Sequence, residues 1–521
     1  MTKVSADNII LKNMKSKGAD DLSIDTMTRD YMEFLSKINM LQGAVNLINF
    51  DALTGAPRGG AASRAKRLGY ITAEIFSMQV SPEMKKYLDF FAENIDKLDE
   101  KTKAMYRISK RIYDKSANVP KEKMRAYSEL KSNANVIWEE AKGKNDFKSF
   151  APYLEKIIAA QKELLTYRKS GEHPFDMLLD DYEEGASMKT LDVFFGKLRE
   201  SIVPLQKKVM DSKVKPDTSF MNIPVSVDIQ RKIGHMLSEK VGYDFNRGVL
   251  RETEHPFCNA IDRNDVRITT KYHQDRFMSS FYSVLHECGH GIYELNGSED
   301  IAFTILDGGV KGGMHEAQSR FYENIVGRSE AFWEYVVDDV KALLPKEFGS
   351  VTAGMFYAAA NESKPSLIRI RSDELTYPLH IMLRYELEKM MFTEDINVQD
   401  LPRLWNEKVQ EYVGITPPDD TNGILQDVHW SIGLLGYFPS YAIGSALAAQ
   451  FAAYMEKEFD VTAAIRSGDI GKLTNWLKKH IHSHGKMYTP QELIKRVAGE
   501  PLEVDYYIDY LTKKFTKVYQ V

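Results

Sequence analysis

The residues best suited to chemistry stand together at His286-Glu287-Cys288-Gly289-His290, an H-E-x-x-H sequence. On an α-helix, positions i and i+4 share a face, so both imidazoles can close on one metal ion. Glu287 stands beside the first histidine, where a carboxylate can take a proton from an activated water instead of binding the ion. Zinc accepts nitrogen and oxygen ligands in tetrahedral geometry, and a catalytic site keeps one position open. Beyond the glycine-rich stretch 308–313 comes a second helical segment, Met314 to Phe321. Its Glu316 lies 26 residues after His290. That is room for one helix to finish, a loop to turn and a second helix to present a carboxylate. The plain alternative is a helix with two structural histidines, followed by a glutamate favoured by the next helix dipole.

Other reactive side chains read less sharply. His315 and Ser319 are placed to orient the Glu316 carboxylate or to lie on the helix surface. Cys288, two residues from His286, falls on roughly the opposite face and reads as a small buried residue. His480, His482 and His484 alternate, which puts them on different faces of a helix, so a solvated surface is expected there.

The elements that must position these groups are mostly helices. Tyr31, Met32, Phe34, Leu35 and Ile38 recur at helical spacing, as do Tyr153, Leu154, Ile157, Ile158, Leu164 and Leu165. Turn residues cluster at 53–60 and 170–174. The clearest strand signal is Asp265 to Tyr272, rich in β-branched residues. Lys213 to Pro224 reads as the linker between an N-terminal helical lobe, 1–215, and a catalytic lobe, 216–521. The expectation is therefore a mainly α-helical protein with one small sheet beside the H-E-x-x-H helix.

Composition narrows the classes. Of 521 residues, 43% are hydrophobic and 27% charged, the balance of a soluble globular chain. The net charge of −5 argues against nucleic-acid binding by bulk electrostatics. Two cysteines exclude a disulfide framework and favour a reducing, cytoplasmic setting, so the metal must rest on His and Glu. The first fourteen residues show no signal-peptide pattern. The uncharged stretch from Trp430 to Met455 is long enough to span a bilayer. Its glycines and proline favour a buried wall beside a cleft instead.

Further blocks carry a resemblance: His255-Pro256-Phe257; Asp265, Arg267 and Thr269 as D-x-R-x-T; and His315-Glu316 with Gln318. Ile368-Arg369 through Asp373 looks like I-R-x-x-A-D, and Gly423 to Trp430 matches G-x-x-Q-D-x-H-W. With Phe50-Asp51 through Pro57, Gly59 and Arg64, these blocks occur in the order found in the M32 metallocarboxypeptidases, the carboxypeptidase Taq family of gluzincins. Ser372, Ala317 and Phe50 depart from the usual alanine, serine and tryptophan, and none removes a ligand or the base.

The resemblance implies a two-lobed helical peptidase of the neurolysin and angiotensin-converting-enzyme type, with a long cleft. Residues 1–215 would then supply its wall and lid. It implies a carboxypeptidase of broad specificity that releases single C-terminal residues, with one Zn2+ per chain, or Co2+ in its place. His286, His290 and Glu316 would be its ligands and Glu287 its general base. It further implies a homodimer acting on peptides with a free C-terminus, with no membrane or nucleic-acid partner. An oligopeptidase or dipeptidyl carboxypeptidase on the same scaffold is the nearest alternative, and a peptide-binding protein with a structural metal a more distant one.

A guanidinium matches a carboxylate, so Arg369 is the preferred anchor for the substrate C-terminus and Arg267 the second choice; a salt bridge from Arg369 to Asp373 or Glu374 is the plain alternative. His255 would touch substrate or cap a turn. His429, with Tyr437 or Tyr441, would stabilise the oxyanion, or these rings line an ordinary core. Gln426 and Asp427 would orient His429, with Gln426 near the substrate.

Overall fold

The computed structural model describes residues 19–168 and 170–521, with side chains from Ser23 onward, so the N-terminal stretch read for a signal peptide lies outside the described residues. The chain forms two compact units, and the first comprises residues up to Ala117 with Ser298–Asp307 and Gly485–Met487. It is built on α1 (Ala19–Thr54), α2 (Ala61–Gln79), α3 (Pro82–Glu93) and α4 (Glu100–Ser116). Tyr31, Phe34, Leu35 and Ile38 on α1 are buried against Tyr87, Leu88 and Phe91 of α3 and Met105 of α4. Tyr31 also donates its hydroxyl hydrogen to Ser109 Oγ at 2.6 Å, so this buried polar atom is satisfied. Ser81 and Asp99 cap α3 and α4 by accepting the amides of Met84 and Thr102.

The second unit holds everything else. It begins with α5 (Lys121–Lys144), α6 (Phe147–Thr166), α7 (Pro174–Tyr182), α8 (Met188–Asp211) and α9 (Val227–Lys240). A small sheet follows, of β1 (Gly248–Glu252), β2 (Cys258–Asp262) and β3 (Asp265–Thr270). The strand order is β1-β3-β2, with β1 parallel and β2 antiparallel to β3. Then come α10 (Phe277–Leu295) and α11 (Gly313–Arg320), which runs on into a π-helix over Phe321–Gly327. The rest is α12 (Glu330–Leu343), α13 (Ala353–Ala360), α14 (Tyr377–Thr393), α15 (Leu401–Val413), α16 (Pro439–Glu456), α17 (Val461–Arg466), α18 (Ile470–His480), α19 (Pro490–Ala498) and α20 (Asp505–Tyr519).

The break in contacts falls at Ala117 and not in the stretch 213–224. Val209 and Val225, on either side of the proline-bearing stretch, and Phe220 within it are buried in one continuous core, so its loop-like composition marks no boundary. Of the three strands, β3 occupies the place expected of it. β1 and β2 escape the pattern because their residues are mostly half-buried and do not alternate. The uncharged stretch after Trp430 is a loop followed by α16, whose inner face is fully buried. No described helix is long and apolar enough to cross a membrane.

Two contacts set the position of α10. Its Val284, Leu285, Cys288 and Ile292 join the buried face of β3, Val266 and Ile268, in one core. On another side, Gly289 meets the backbone of α11: a Cβ there would stand 2.6 Å from Cα of Ser319 and closer still to the Gln318 carbonyl oxygen. Backbone cannot swing aside as a side chain can. Gly289→Ala is therefore expected to cost about 3 kcal/mol of unfolding free energy, measured by urea denaturation. A loss below about 0.5 kcal/mol would show that the two helices are not in this contact.

Candidate metal centre

Helical spacing on α10 turns Nε2 of His286 and of His290 to one point, and Glu316, in the first turn of α11, brings its Oε2 to the same point. The Oε2 atom lies 3.9 Å from His286 Nε2 and 3.7 Å from His290 Nε2. One ligand atom from each residue falls within 4.8 Å of the other two. Nitrogen and oxygen ligands at about 2.1 Å on a tetrahedral ion stand about 3.4 Å apart, so a few tenths of an ångström of closure fits a divalent cation. The donor chemistry agrees, since two imidazoles and a carboxylate suit zinc or cobalt. Beside them the Glu287 side chain is buried, and its Oε2 has no hydrogen-bond partner in the described structure.

Each ligand is held from behind. His286 Nδ1 lies 2.9 Å from Oε2 of Glu323, which also accepts from Arg320 at 3.1 Å, while its other oxygen accepts from Arg328 at 3.2 Å. Arg320 Nε donates to the outer oxygen of Glu316 at 2.7 Å. The Glu316 carboxylate is thus oriented by Arg320, not by the residues expected. Ser319 donates to the Glu316 main-chain oxygen, and His315 lies on His290. Arg320 follows Glu316 at i+4, a spacing that could have marked it, whereas Glu323 falls in the π-helix that begins at Phe321. Glu183, on the chain just after α7, accepts the Gly313 amide at the start of α11.

Burial works against every charge here, and the partners decide the sign. Burial pushes the Glu323 carboxyl up, but Arg320, His286 and Arg328 outweigh it and hold it well below the usual carboxylate range. Burial would lower His286, yet Glu316 and Glu323 raise it on balance. His290 is driven well down by burial, His315 and His286. Burial pushes Glu287 up to about 7, with His286 and Arg320 offsetting only part of the rise and Glu316 and Glu323 adding to it.

A second cluster surrounds Asp427. Arg369 donates to Asp427 Oδ1 through Nε at 3.1 Å and Nη2 at 2.9 Å, and Arg384 Nε donates to Oδ2 at 2.7 Å. Burial raises the Asp427 carboxyl, but Arg384 and Arg369 outweigh it and hold it far below its ordinary value. The Arg369 guanidinium is also bound to Tyr377 Oη and lies over the Tyr441 ring, so its side chain is only 7% exposed. Asp373 and Glu374 are not its partners: Asp373 accepts from Ser363 and Thr376, and Glu374 pairs with Lys514. Gln426 accepts the Arg369 amide and donates to the Leu367 and Gly423 carbonyls. Neither Gln426 nor Asp427 hydrogen-bonds His429, as they were expected to. His429 instead faces Tyr441, with Nε2 3.3 Å from Oη, and its buried Nδ1 lacks a partner in the described structure. Burial pushes His429 down to about 4, so it is a neutral ring near pH 7. Tyr437 and Tyr441 meet edge to face at 5.3 Å.

Arg267 forms a two-pronged pair with Asp265 at 2.7 and 2.6 Å, and His255 is exposed on the connection between β1 and β2. Cys288 is fully buried against Ser238. The C-terminal histidines are a partial correction: His480 and His484 are half-buried, but His482 is 1% exposed. His482 links Gln318 of α11, at 2.9 Å, to Asn296 at the end of α10, at 3.2 Å.

Asp427→Asn would leave two buried guanidiniums facing a neutral amide, at an expected cost of about 3–5 kcal/mol at pH 7. The sign of the pH effect follows from the depressed pKa. The contribution is complete above the unfolded value of about 4 and is lost as pH falls toward the folded one. Denaturant midpoints from pH 7 to pH 3 should therefore fall less steeply in the variant than in wild type. Parallel curves would refute the pairing.

The family model described as carboxypeptidase Taq (M32) metallopeptidase matches residues 30–515. Carboxypeptidase 1 of Bacillus subtilis (strain 168) is 43% identical over 501 residues, covering 96% of this chain and 100% of that protein. Thermostable carboxypeptidase 1 of Pyrococcus furiosus is 34% identical over 475 residues, covering 91% and 95%. The crystal structure of an M32 carboxypeptidase from Deinococcus radiodurans R1 superposes with a TM-score of 0.92 at 33% identity, over 95% of this chain and 100% of that one. This chain, which sets two histidines and a glutamate around one point and is matched over most of its length by such relatives, belongs to the carboxypeptidase Taq (M32) metallopeptidase family.

Proposed function

We propose that this metallocarboxypeptidase removes single residues from the free C-terminus of peptides, with broad specificity and with Glu287 as its general base. The observation that carries the reading is the convergence of His286, His290 and Glu316 beside a buried, unpartnered Glu287 oxygen. A divalent ion held by those three residues, zinc or cobalt, supplies Lewis acidity toward the scissile carbonyl and acidifies the attacking water. Glu287 Oε2 takes the water proton and returns it to the leaving amine.

Tyr437 is the donor assigned to the oxyanion, for a specific reason. The Tyr441 hydroxyl is already engaged by His429 Nε2 at 3.3 Å and its ring packs against the Arg369 guanidinium, which leaves Tyr437. Tyr441, lying against His429 and Arg369, then serves to orient Tyr437. Arg369 and Arg384 share the single carboxylate of Asp427, which leaves a net charge of +1 from these three groups. That excess draws the substrate carboxylate toward the Arg369 end of the site, with Arg267 the alternative anchor. The helices over 118–215, which share the core of the metal-bearing unit, are the part of the proposed wall that adjoins the site. A homodimer in the cytoplasm is the proposed setting.

Incubation of the purified protein with mixed peptides should yield stepwise loss of single C-terminal residues, read by mass, abolished by a chelator and restored by zinc or cobalt. Internal cuts would sink the exopeptidase reading. Glu287→Gln should retain the metal and lose about 10²- to 10⁴-fold in kcat; full activity would remove it as the base. Tyr437→Phe should lower kcat about 100-fold and Tyr441→Phe less. The reverse order would exchange their roles.

A further inference from the structure

The glycine-rich loop meets the end of α10 directly behind one metal ligand. His290 turns Nε2 toward Glu316, and its Nδ1 lies 2.6 Å from Nδ1 of His315. The other His315 nitrogen, Nε2, lies 2.8 Å from Oε1 of Glu294. The second Glu294 oxygen accepts the Gly309 amide at 3.2 Å. A Cβ at Gly309 would stand 2.5 Å from the Tyr293 ring and 3.0 Å from Cδ2 of His315, so the loop closes over this pair only as glycine. The side chains are largely enclosed, at 15% exposure for His290, 21% for His315 and 15% for Glu294.

The hydrogens along this chain can be assigned. An ionised carboxylate only accepts, so Nε2 of His315 must carry a hydrogen. A neutral imidazole with that hydrogen has a bare Nδ1, and the 2.6 Å contact then requires the hydrogen to sit on Nδ1 of His290. That leaves a lone pair on Nε2 of His290, the atom that faces Glu316. His286 gets the same instruction from a carboxylate in direct contact, Glu323. Glu287, Glu316 and Glu323 are already buried around the centre. An imidazole between His290 and Glu294 transmits tautomer control while keeping a fourth carboxylate one residue further away.

Resting on the metal reading above, we propose that His315 and Glu294 are positioning residues that hold His290 in the one tautomer able to bind a divalent cation. The glycine-rich loop serves to hold Glu294 in place. This gives the loop and His315 a function that neither a flexible connector nor a carboxylate-orienting group would have.

The test uses the full chain stripped of metal and titrated with Zn2+ against a chromophoric chelator. Glu294→Gln keeps the shape but offers an N–H to His315, which frees Nδ1 of His315 to carry hydrogen against His290. His315→Phe keeps a ring and removes the relay. Zinc affinity should fall about 10- to 100-fold in both, with the metal-free proteins unfolding at the wild-type midpoint. Histidine-selective ¹⁵N spectra should show the hydrogen on Nδ1 of His290 in wild type and a changed tautomer in Glu294→Gln. Wild-type zinc affinity in Glu294→Gln would overturn the relay, as would a loss of stability with affinity unchanged. If His315→Phe does not fold, Glu294→Gln decides alone. Failure of the metal reading would look different: wild type would bind no zinc, or His286→Ala would bind it as tightly as wild type.

Discussion

The centre depends on how closely α10 can approach α11. Two histidines on one helix can face a common point wherever that helix lies, but the third donor must come from a neighbour. A carboxylate in the first turn of α11 reaches that point only if the two backbones touch. They touch at Gly289, inside the H-E-x-x-H sequence, where even a methyl group would strike the main chain at Gln318 and Ser319. One residue of the motif thus sets the spacing while its neighbours supply the chemistry. The same approach brings Arg320 and Glu323 into range of His286 and Glu316, so the second layer of the site follows from the same contact.

Charge balance explains why that second layer is so well paired. Glu287, Glu316 and Glu323 bring three carboxyl groups against two guanidiniums, Arg320 and Arg328, in a buried volume. Glu323 is kept ionised by the arginines, Glu316 is held by Arg320, and Glu287 is left to rise to about 7. The deficit of positive charge falls where a dication belongs. Metal binding and local electrostatic stability are therefore one property, as linkage requires of any site assembled from groups that repel in its absence.

Local patterns made much of this readable in advance. The i, i+4 histidines, the adjacent glutamate and the later Glu316 depend on helix geometry alone, and the helical character of the chain depends on apolar spacing. What escaped depends on contacts between distant segments. Glu294 and His315 are 21 positions apart, His482 reaches Gln318 across 164, and Asp427 joins Arg369 across 58. The π-helix after α11 also shifts the phase of the residues beyond Arg320, which a constant 3.6-residue period cannot foresee. The stretch 213–224 misled for the opposite reason. Its prolines and charges look like a linker, yet Phe220 and Val225 anchor it in the same core as the helices before and after.

Arg369 shows where residue type stops being informative. A guanidinium in a peptidase that handles free C-termini invites the role of carboxylate anchor, and nothing local argues otherwise. Its surroundings assign most of its donors already, to Asp427 and Tyr377, with Tyr441 against its face. Such a buried arginine is more effective as a source of field than as a free fork. Because Arg384 competes for the same Asp427, neutralisation stays incomplete, and the surplus positive charge lies behind the aromatic wall of Phe438 and Tyr441. Low dielectric there weakens screening, so in the proposed reaction a substrate carboxylate arriving at that wall would be attracted before any direct hydrogen bond forms. Recognition of a chain end by a buried surplus charge would make few demands on the neighbouring side chain, in keeping with the broad specificity proposed above.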